Sequence, residues 1–250
     1  MTVASNIANR LRVLRTILTR RRIWPDLAAM IQINHFEIRQ IRANKTPLEF
    51  AAALSGTQTP ALDFAAILGP VNSFERLDTP KWASESGVSE FLGELVFRLR
   101  ARAVVELGCF IGWTSAHLAL GLREAGVNGK LWCVDGEARF LDIARANLNR
   151  LGLDQQVEFL CGHSTDDALL ANLPTAIDVV FIDTGHDYQS TQREIATYAQ
   201  RLKPGGYMVL HDSISHPGVR RAIEEVWDRF HSLTFATERS DGVTVLWAKK

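Results

Sequence analysis

The sequence predicts an α/β protein: a doubly wound, mostly parallel seven-stranded sheet closed by an antiparallel hairpin and preceded by a helical extension. Three observations carry this. From Ala103 onward, short apolar runs alternate with helix-length amphipathic segments, the pattern of a parallel sheet covered on both faces. The first apolar run, Ala103-Val104-Val105-Glu106, enters a Gly108-x-x-x-Gly112 turn and then a helix-forming segment. The last two strand-like runs flank Ser240-Asp241-Gly242, a hairpin turn signal.

In chain order, residues 9–22 are periodic and basic and read as a helix, and residues 26–42 as a second. Residues 55–80 are rich in Gly, Pro, Ser and Thr and read as a long loop or lid. Residues 86–99 read as a helix leading into the first strand. Strands are expected at 103–106, 130–135, 156–161, 177–183 and 207–212, with helices at 114–124, 138–151, 188–202 and 219–230 between and after them. Lys203-Pro204-Gly205-Gly206 reads as the stop of the helix before the fifth strand. The closing strands are expected near 233–237 and 243–248. The organisation expected is an extension over residues 1–83 and a ligand-binding domain over 84–250.

At 250 residues, 46% hydrophobic and 22% charged, the chain has the composition of a globular protein of one large domain. A net charge of +0 gives no electrostatic case for nucleic acid. Residues 1–45, however, hold nine basic side chains against two acids, which reads as a solvated helix face or a dimer contact, with peripheral association with an anionic membrane surface or a charged acceptor as the alternative. Cys109, Cys133 and Cys161 have neither CxxC nor metal spacing; they read as core residues of a reducing compartment. Arginines interrupt the apolar residues of the N-terminus, so no signal peptide is expected, and no run approaches the ~18 apolar residues of a bilayer span. A cytoplasmic homo-oligomer is the expectation.

Ligands of such sheets bind at the carboxyl ends of the strands. The five residues ending the parallel strands are Glu106, Asp135, Cys161, Asp183 and Asp212, four of them acids. A pyrophosphate loop gathers donors and avoids carboxylates, so Glu106 beside the glycine turn points to a cationic ligand that has ribose but no phosphate. Asp135, about twenty residues past the turn, is placed to take both ribose hydroxyls. Gly162-His163-Ser164 after the third strand is a candidate adenine edge. Asp183 and His186 after the fourth strand, and His211 and Asp212 after the fifth, should converge, and such a set can hold a divalent ion.

Glu106-Leu107-Gly108-x-x-x-Gly112, Asp135, Gly162-His163-Ser164 and Lys203-Pro204-Gly205-Gly206 together resemble a class I S-adenosylmethionine-dependent methyltransferase of Rossmann-like fold, over roughly residues 84–250. The resemblance implies that the loop lies along the methionine portion. The cofactor set it implies is Glu106, Gly108, Cys109, Phe110, Gly112, Thr114, Ser115, Asp135, Gly136, His163, Ser164 and Asp183. Asp183-x-x-His186 with His211-Asp212 is similar to a metal-dependent small-molecule O-methyltransferase group that includes macrolide-sugar O-methyltransferases and cephalosporin hydroxylase-like proteins. It implies Asp183 and Asp212 as ligands of a divalent metal, Mg²⁺ by expectation, and Asp183 and His186 as catalytic, with His186 the base. His211 stands where several relatives have an acid and is a further candidate ligand.

The implied reaction is methylation of a hydroxyl on a small-molecule acceptor, a sugar, glycan or secondary metabolite. The alternative is a same-fold metal-dependent oxidative enzyme of the hydroxylase-like kind. A nicotinamide dehydrogenase is disfavoured by Glu106 and by the lack of Gly-x-Gly-x-x-Gly. N-methylation is disfavoured because Asp183-Thr184-Gly185-His186 replaces the Asn/Asp-Pro-Pro-aromatic turn of many amine methyltransferases. Asp187 and Ser190 read as N-capping residues of the helix that follows, and Tyr188 as packing.

Overall fold

A computed structural model describes residues 51, 61–69, 82–237, 239 and 241–248. The helices expected at 9–22 and 26–42, and most of the 55–80 segment, lie outside the described residues. Among the described residues the strands are β1 (Ala103–Leu107), β2 (Lys130–Asp135), β3 (Val157–Cys161), β4 (Ile177–Ile182), β5 (Leu202–His211), β6 (Phe230–Phe235) and β7 (Val243–Ala248). They form one sheet of order β3-β2-β1-β4-β5-β7-β6. The first five are parallel, and β7 runs antiparallel to both β5 and β6.

The helices are α1 (Phe64–Leu68), α2 (Ser86–Leu99), α3 (Trp113–Glu124), α4 (Ala138–Arg150), α5 (Asp167–Leu170), α6 (Tyr188–Ala199) and α7 (Pro217–Glu224). Side chains alternate across a strand, and β1 shows the consequence. Val104 faces a core shared with α2, α3 and α4, whereas Val105 and Leu107 face a second core shared with α6 and α7. Both faces are covered, which is why β1 and β4 are almost wholly apolar. Phe64 and Leu68 of α1 are buried in the first core, so part of the segment expected to be a loop is a short helix docked on the domain.

Two expectations are corrected at β5 and at the cysteines. The strand begins at Leu202, not at Tyr207: Leu202 pairs with Ile177, Tyr207 with Val179, and the glycines sit in an irregularity of the pairing. Gly205 takes φ +81°, a conformation glycine adopts without penalty. Cys109 and Cys133 are buried as expected, but Cys161 is exposed, because β3 is the edge strand.

Candidate active site

The carboxyl ends of β1, β2, β4 and β5 open onto one cleft of about 470 Å³. It is lined by Gly108, Phe110, Asp135, Asp183, His211 and Asp212 from the strand ends, with His186, His216, Trp82, Phe140, Arg239 and Asp241 around them. The cleft spans the gap between β1 and β4, where the strand order reverses.

The glycine turn is shaped by what surrounds it. Gly108 has φ +84°, and a Cβ there would sit 2.0 Å from the Asp183 carbonyl oxygen. The two strand ends can therefore approach only across a residue without a side chain. Gly112, also at φ +84°, lets the start of α3 pack on Ala144 and Leu148 of α4. Between them Phe110 takes the left-handed conformation, φ 47°. Its N–H donates to Asp135 Oδ2 at 3.0 Å, and the Glu137 N–H donates to Oδ1 at 2.9 Å. Burial nevertheless leaves the Asp135 carboxyl above its ordinary pKa.

Glu106 is not in the cleft. Its position in β1 puts it on the same face as Val104, and it is fully buried. Ser115 Oγ donates to Glu106 Oε2 at 2.5 Å and Cys133 Sγ donates at 3.3 Å, while Oε1 has no partner. Burial pushes its carboxyl up to about 8 despite these donors. The reading of Glu106 as a carboxylate facing a cationic ligand is therefore corrected: it is a buried acid beneath the turn. Cys109, Thr114 and Ser115 are likewise buried behind it, with Thr114 Oγ1 hydrogen-bonded to Ser89. After β3, His163 is exposed and bonds Thr165, while Ser164 turns inward and donates to Glu194 at 2.5 Å. Gly112, Gly136, His163 and Ser164 are not among the cleft-lining residues. Of the expected cofactor set, Gly108, Phe110, Asp135 and Asp183 line it.

The opposite wall is a dense ionic cluster. Asp212 sits at φ 57° just past β5; Asp tolerates this conformation better than most residues, and the His216 N–H donates to its carbonyl at 3.0 Å. His186 Nε2 lies 2.6 Å from Asp212 Oδ2 and 4.0 Å from Asp183 Oδ1. Its ring stacks on His216 at 4.2 Å. The Asp183 and Asp212 carboxylates raise the His186 pKa to about 9, against a smaller opposing effect of burial. His211 Nδ1 lies 3.3 Å from Asp183 Oδ1 and 3.5 Å from Asp212 Oδ2. Burial alone would raise the Asp183 and Asp212 carboxyls, but the surrounding histidines hold both far below the ordinary range. The ligand atoms of Asp183, His211 and Asp212 all lie within 4.8 Å of one another, as do those of His186, Asp212 and His216.

Two residues that the sequence reading passed over belong to this wall. Ser84 Oγ donates to Asp183 Oδ2 at 2.8 Å. Glu85 Oε2 lies 2.7 Å from His211 Nε2. Burial raises the Glu85 carboxyl, but the His211 and Thr237 bonds outweigh it and leave the pKa at about 2. No sequence signal singles Glu85 out: it is the N-cap of α2, and only the structure shows that its side chain makes no cap bond and turns to His211 instead. Asp187 does cap α6, accepting from the Ser190 N–H at 2.9 Å, and the Tyr188 hydroxyl donates to Glu225 at 2.6 Å.

The residues present suit a sulfonium nucleoside. The cleft combines the acids Asp135, Asp183, Asp212 and Asp241 with the rings of Trp82, Phe110 and Phe140, which attract a cation, and Asp135 supplies the acceptor a diol requires. The acid and imidazole donors opposite suit a divalent ion.

A family model described as a methyltransferase domain matches residues 105–213. Over 160 residues the chain is 28% identical to a catechol O-methyltransferase of Mycobacterium tuberculosis, covering 62% of this chain and 68% of that protein. It is 32% identical over 138 residues to the 8-demethyl-8-(2,3-dimethoxy-alpha-L-rhamnosyl)-tetracenomycin-C 4'-O-methyltransferase of Streptomyces olivaceus, covering 51% of each. The fold is shared with an O-methyltransferase of Streptomyces achromogenes solved with S-adenosylmethionine. That match has TM-score 0.62 and 20% identity, over 80% of this chain and 96% of that one.

Proposed function

We propose that this chain is a class I S-adenosylmethionine-dependent O-methyltransferase that methylates a hydroxyl of a small-molecule acceptor with the help of a divalent ion and of His186 as general base. The supporting observation is the meeting of Asp183, His186, His211 and Asp212 on one wall of a cleft whose other wall carries Asp135. The relatives named above are transferases, one named for a catechol and one for a rhamnosyl tetracenomycin. An acceptor presenting a hydroxyl on a ring, either a sugar or a phenol of a secondary metabolite, follows from that company and from the aromatic rim of the cleft.

Asp135, held by two backbone N–H groups, binds the ribose of the cofactor. Bound S-adenosylmethionine supplies an electrophilic methyl group on sulfonium. A divalent ion held by Asp183, His211 and Asp212 would stabilise the developing alkoxide and lower the proton affinity of His186. His186 Nε2, the imidazole atom turned to the carboxylate pair, takes the hydroxyl proton, a contribution of ~10²–10⁴ in rate. Trp82 and Phe140 line the cleft beside these groups and offer ring faces against which an acceptor can be positioned for in-line attack.

The test is formation of S-adenosylhomocysteine with a panel of catechols and glycosides, before and after chelation. Turnover that stops with chelator, returns with Mg²⁺ or Mn²⁺, and falls ~10²-fold or more in His186→Ala is expected. Full turnover under chelation and in His186→Ala would remove both metal and base from the mechanism.

The basic residues 1–45 are proposed to bring the enzyme to anionic membranes or acceptors. Equal co-sedimentation of full-length and Δ1–45 protein with anionic vesicles would dismiss the membrane role.

A further inference from the structure

We infer that Glu85 is a positioning residue of the metal centre: through its bond to His211 Nε2 it fixes the tautomer and ring orientation that turn His211 Nδ1 toward Asp183 and Asp212. The inference rests on the metal-assisted reading above.

Glu85 lies 126 positions before His211 in the chain, yet its Oε2 is 2.7 Å from Nε2, in a buried site. The carboxylate is itself held from several sides. Thr237 Oγ1 donates to Oε1 at 2.6 Å, the Arg239 N–H donates to Oε1 at 3.3 Å, and the Arg239 guanidinium lies 3.5 Å from Oε2. A carboxylate accepts only, so the Nε2 facing it carries hydrogen. With Nε2 so held, Nδ1 is the nitrogen left to exchange its hydrogen for a divalent ion; without one, the surrounding carboxylates keep His211 protonated, well above its ordinary pKa.

Nδ1 faces two carboxylate oxygens, donating to Asp183 Oδ1 at 3.3 Å and lying 3.5 Å from Asp212 Oδ2. These separations are long for charge-assisted hydrogen bonds, which run at about 2.7–2.9 Å. They match neighbouring ligands of one ion: donor distances near 2.1 Å put adjacent ligands about 3.0 Å apart in an octahedron and about 3.4 Å apart in a tetrahedron. A histidine ligand whose second nitrogen donates to a buried carboxylate is the usual outer support of a metal site. The adjacent Ser84 bonds Asp183 Oδ2 at 2.8 Å, so consecutive residues at the start of α2 brace two members of the set. An imidazole among the donors also draws the site away from Mg²⁺ toward Mn²⁺ or later metals.

The experiment is calorimetric titration of chelator-treated wild type and Glu85→Gln with Mn²⁺ alone, with pulsed EPR detecting a directly bound nitrogen. The Gln amide can donate to Nε2, which moves the ring hydrogen to Nδ1 and blocks ligation. Mn²⁺ affinity is expected to fall about 10- to 100-fold, with loss of the nitrogen coupling and retention of a cooperative thermal transition. Affinity within about twofold of wild type, with the coupling intact, overturns the inference and leaves the metal-assisted reading standing. Wild type that takes up no divalent ion overturns both. Should Glu85→Gln fail to fold, long-range proton–nitrogen NMR of Zn²⁺-loaded wild type decides: hydrogen on Nε2 of His211 is expected, and hydrogen on Nδ1 overturns the inference.

Discussion

Ser115 Oγ donates to Glu106 Oε2 at 2.5 Å beneath the glycine turn, joining the first helical turn of α3 to the strand that precedes it. The acid that its sequence position places beside a ligand is instead part of the floor under the loop.

This burial has a pH signature. Glu106 titrates near 8 in the folded chain and at an ordinary 4.5 unfolded. Between these values the native state holds the extra proton, so stability falls as pH rises, with a slope of up to ~1.4 kcal/mol per pH unit. Glu106→Gln removes the titration. Unfolding midpoints measured from pH 5 to 9 should decline less steeply in the variant than in wild type; identical slopes would show that Glu106 is ionised when folded.

His117 on α3 acts in the opposite direction. Burial lowers its pKa to about 4, although Nδ1 contacts the Trp113 carbonyl at 2.9 Å. Below pH 6.5 the unfolded chain takes up the proton more readily, so stability is lost as pH falls from 6.5 toward 4, by ~3 kcal/mol at most. His117→Phe, which keeps a ring against Phe64, should flatten this acid limb in denaturant titrations at pH 4 to 7.

Gly108 tests the turn itself. Gly108→Ala combines a strained φ of +84° with a Cβ 2.0 Å from the Asp183 carbonyl oxygen. A loss of at least ~2 kcal/mol is expected, with S-adenosylhomocysteine binding impaired as well. Gly126→Ala has φ +63° but nothing within 4 Å, so it should cost only about 1 kcal/mol. Chemical denaturation of the pair separates backbone strain from collision.

The roles proposed for Asp135 and His186 divide the cleft between cofactor and chemistry. Asp135→Ala removes the proposed acceptor for the ribose and frees the Phe110 and Glu137 N–H groups that it holds. Calorimetry should give about 10- to 100-fold weaker S-adenosylhomocysteine binding. His186→Ala should leave that affinity within about twofold while lowering turnover. Equal effects of the two substitutions on cofactor binding would mean that His186 belongs to the cofactor wall.

The sheet was legible because its elements are coded by periodicity. β2 and β7 ended where the residues predicted, since Lys130 and Asp135 bracket one and Gly242 precedes the other. β5 was not fully legible, because its first residues include Pro204 and two glycines that read locally as a turn; only pairing of Leu202 with Ile177 makes them strand. The sequence by itself determined which residues end the parallel strands, and hence that Asp135, Asp183 and Asp212 share one edge of the molecule. It did not determine where their side chains turn. Glu106 goes inward because side chains alternate along β1 and its face is covered by α3, whereas Asp135 remains at the cleft. Glu85 reaches His211 because α2 packs on α3 and its start abuts the end of β5, a contact between segments more than a hundred residues apart. Local patterns specify elements and their ends; which side chains meet across those ends is set by packing, and the tertiary structure alone decided it.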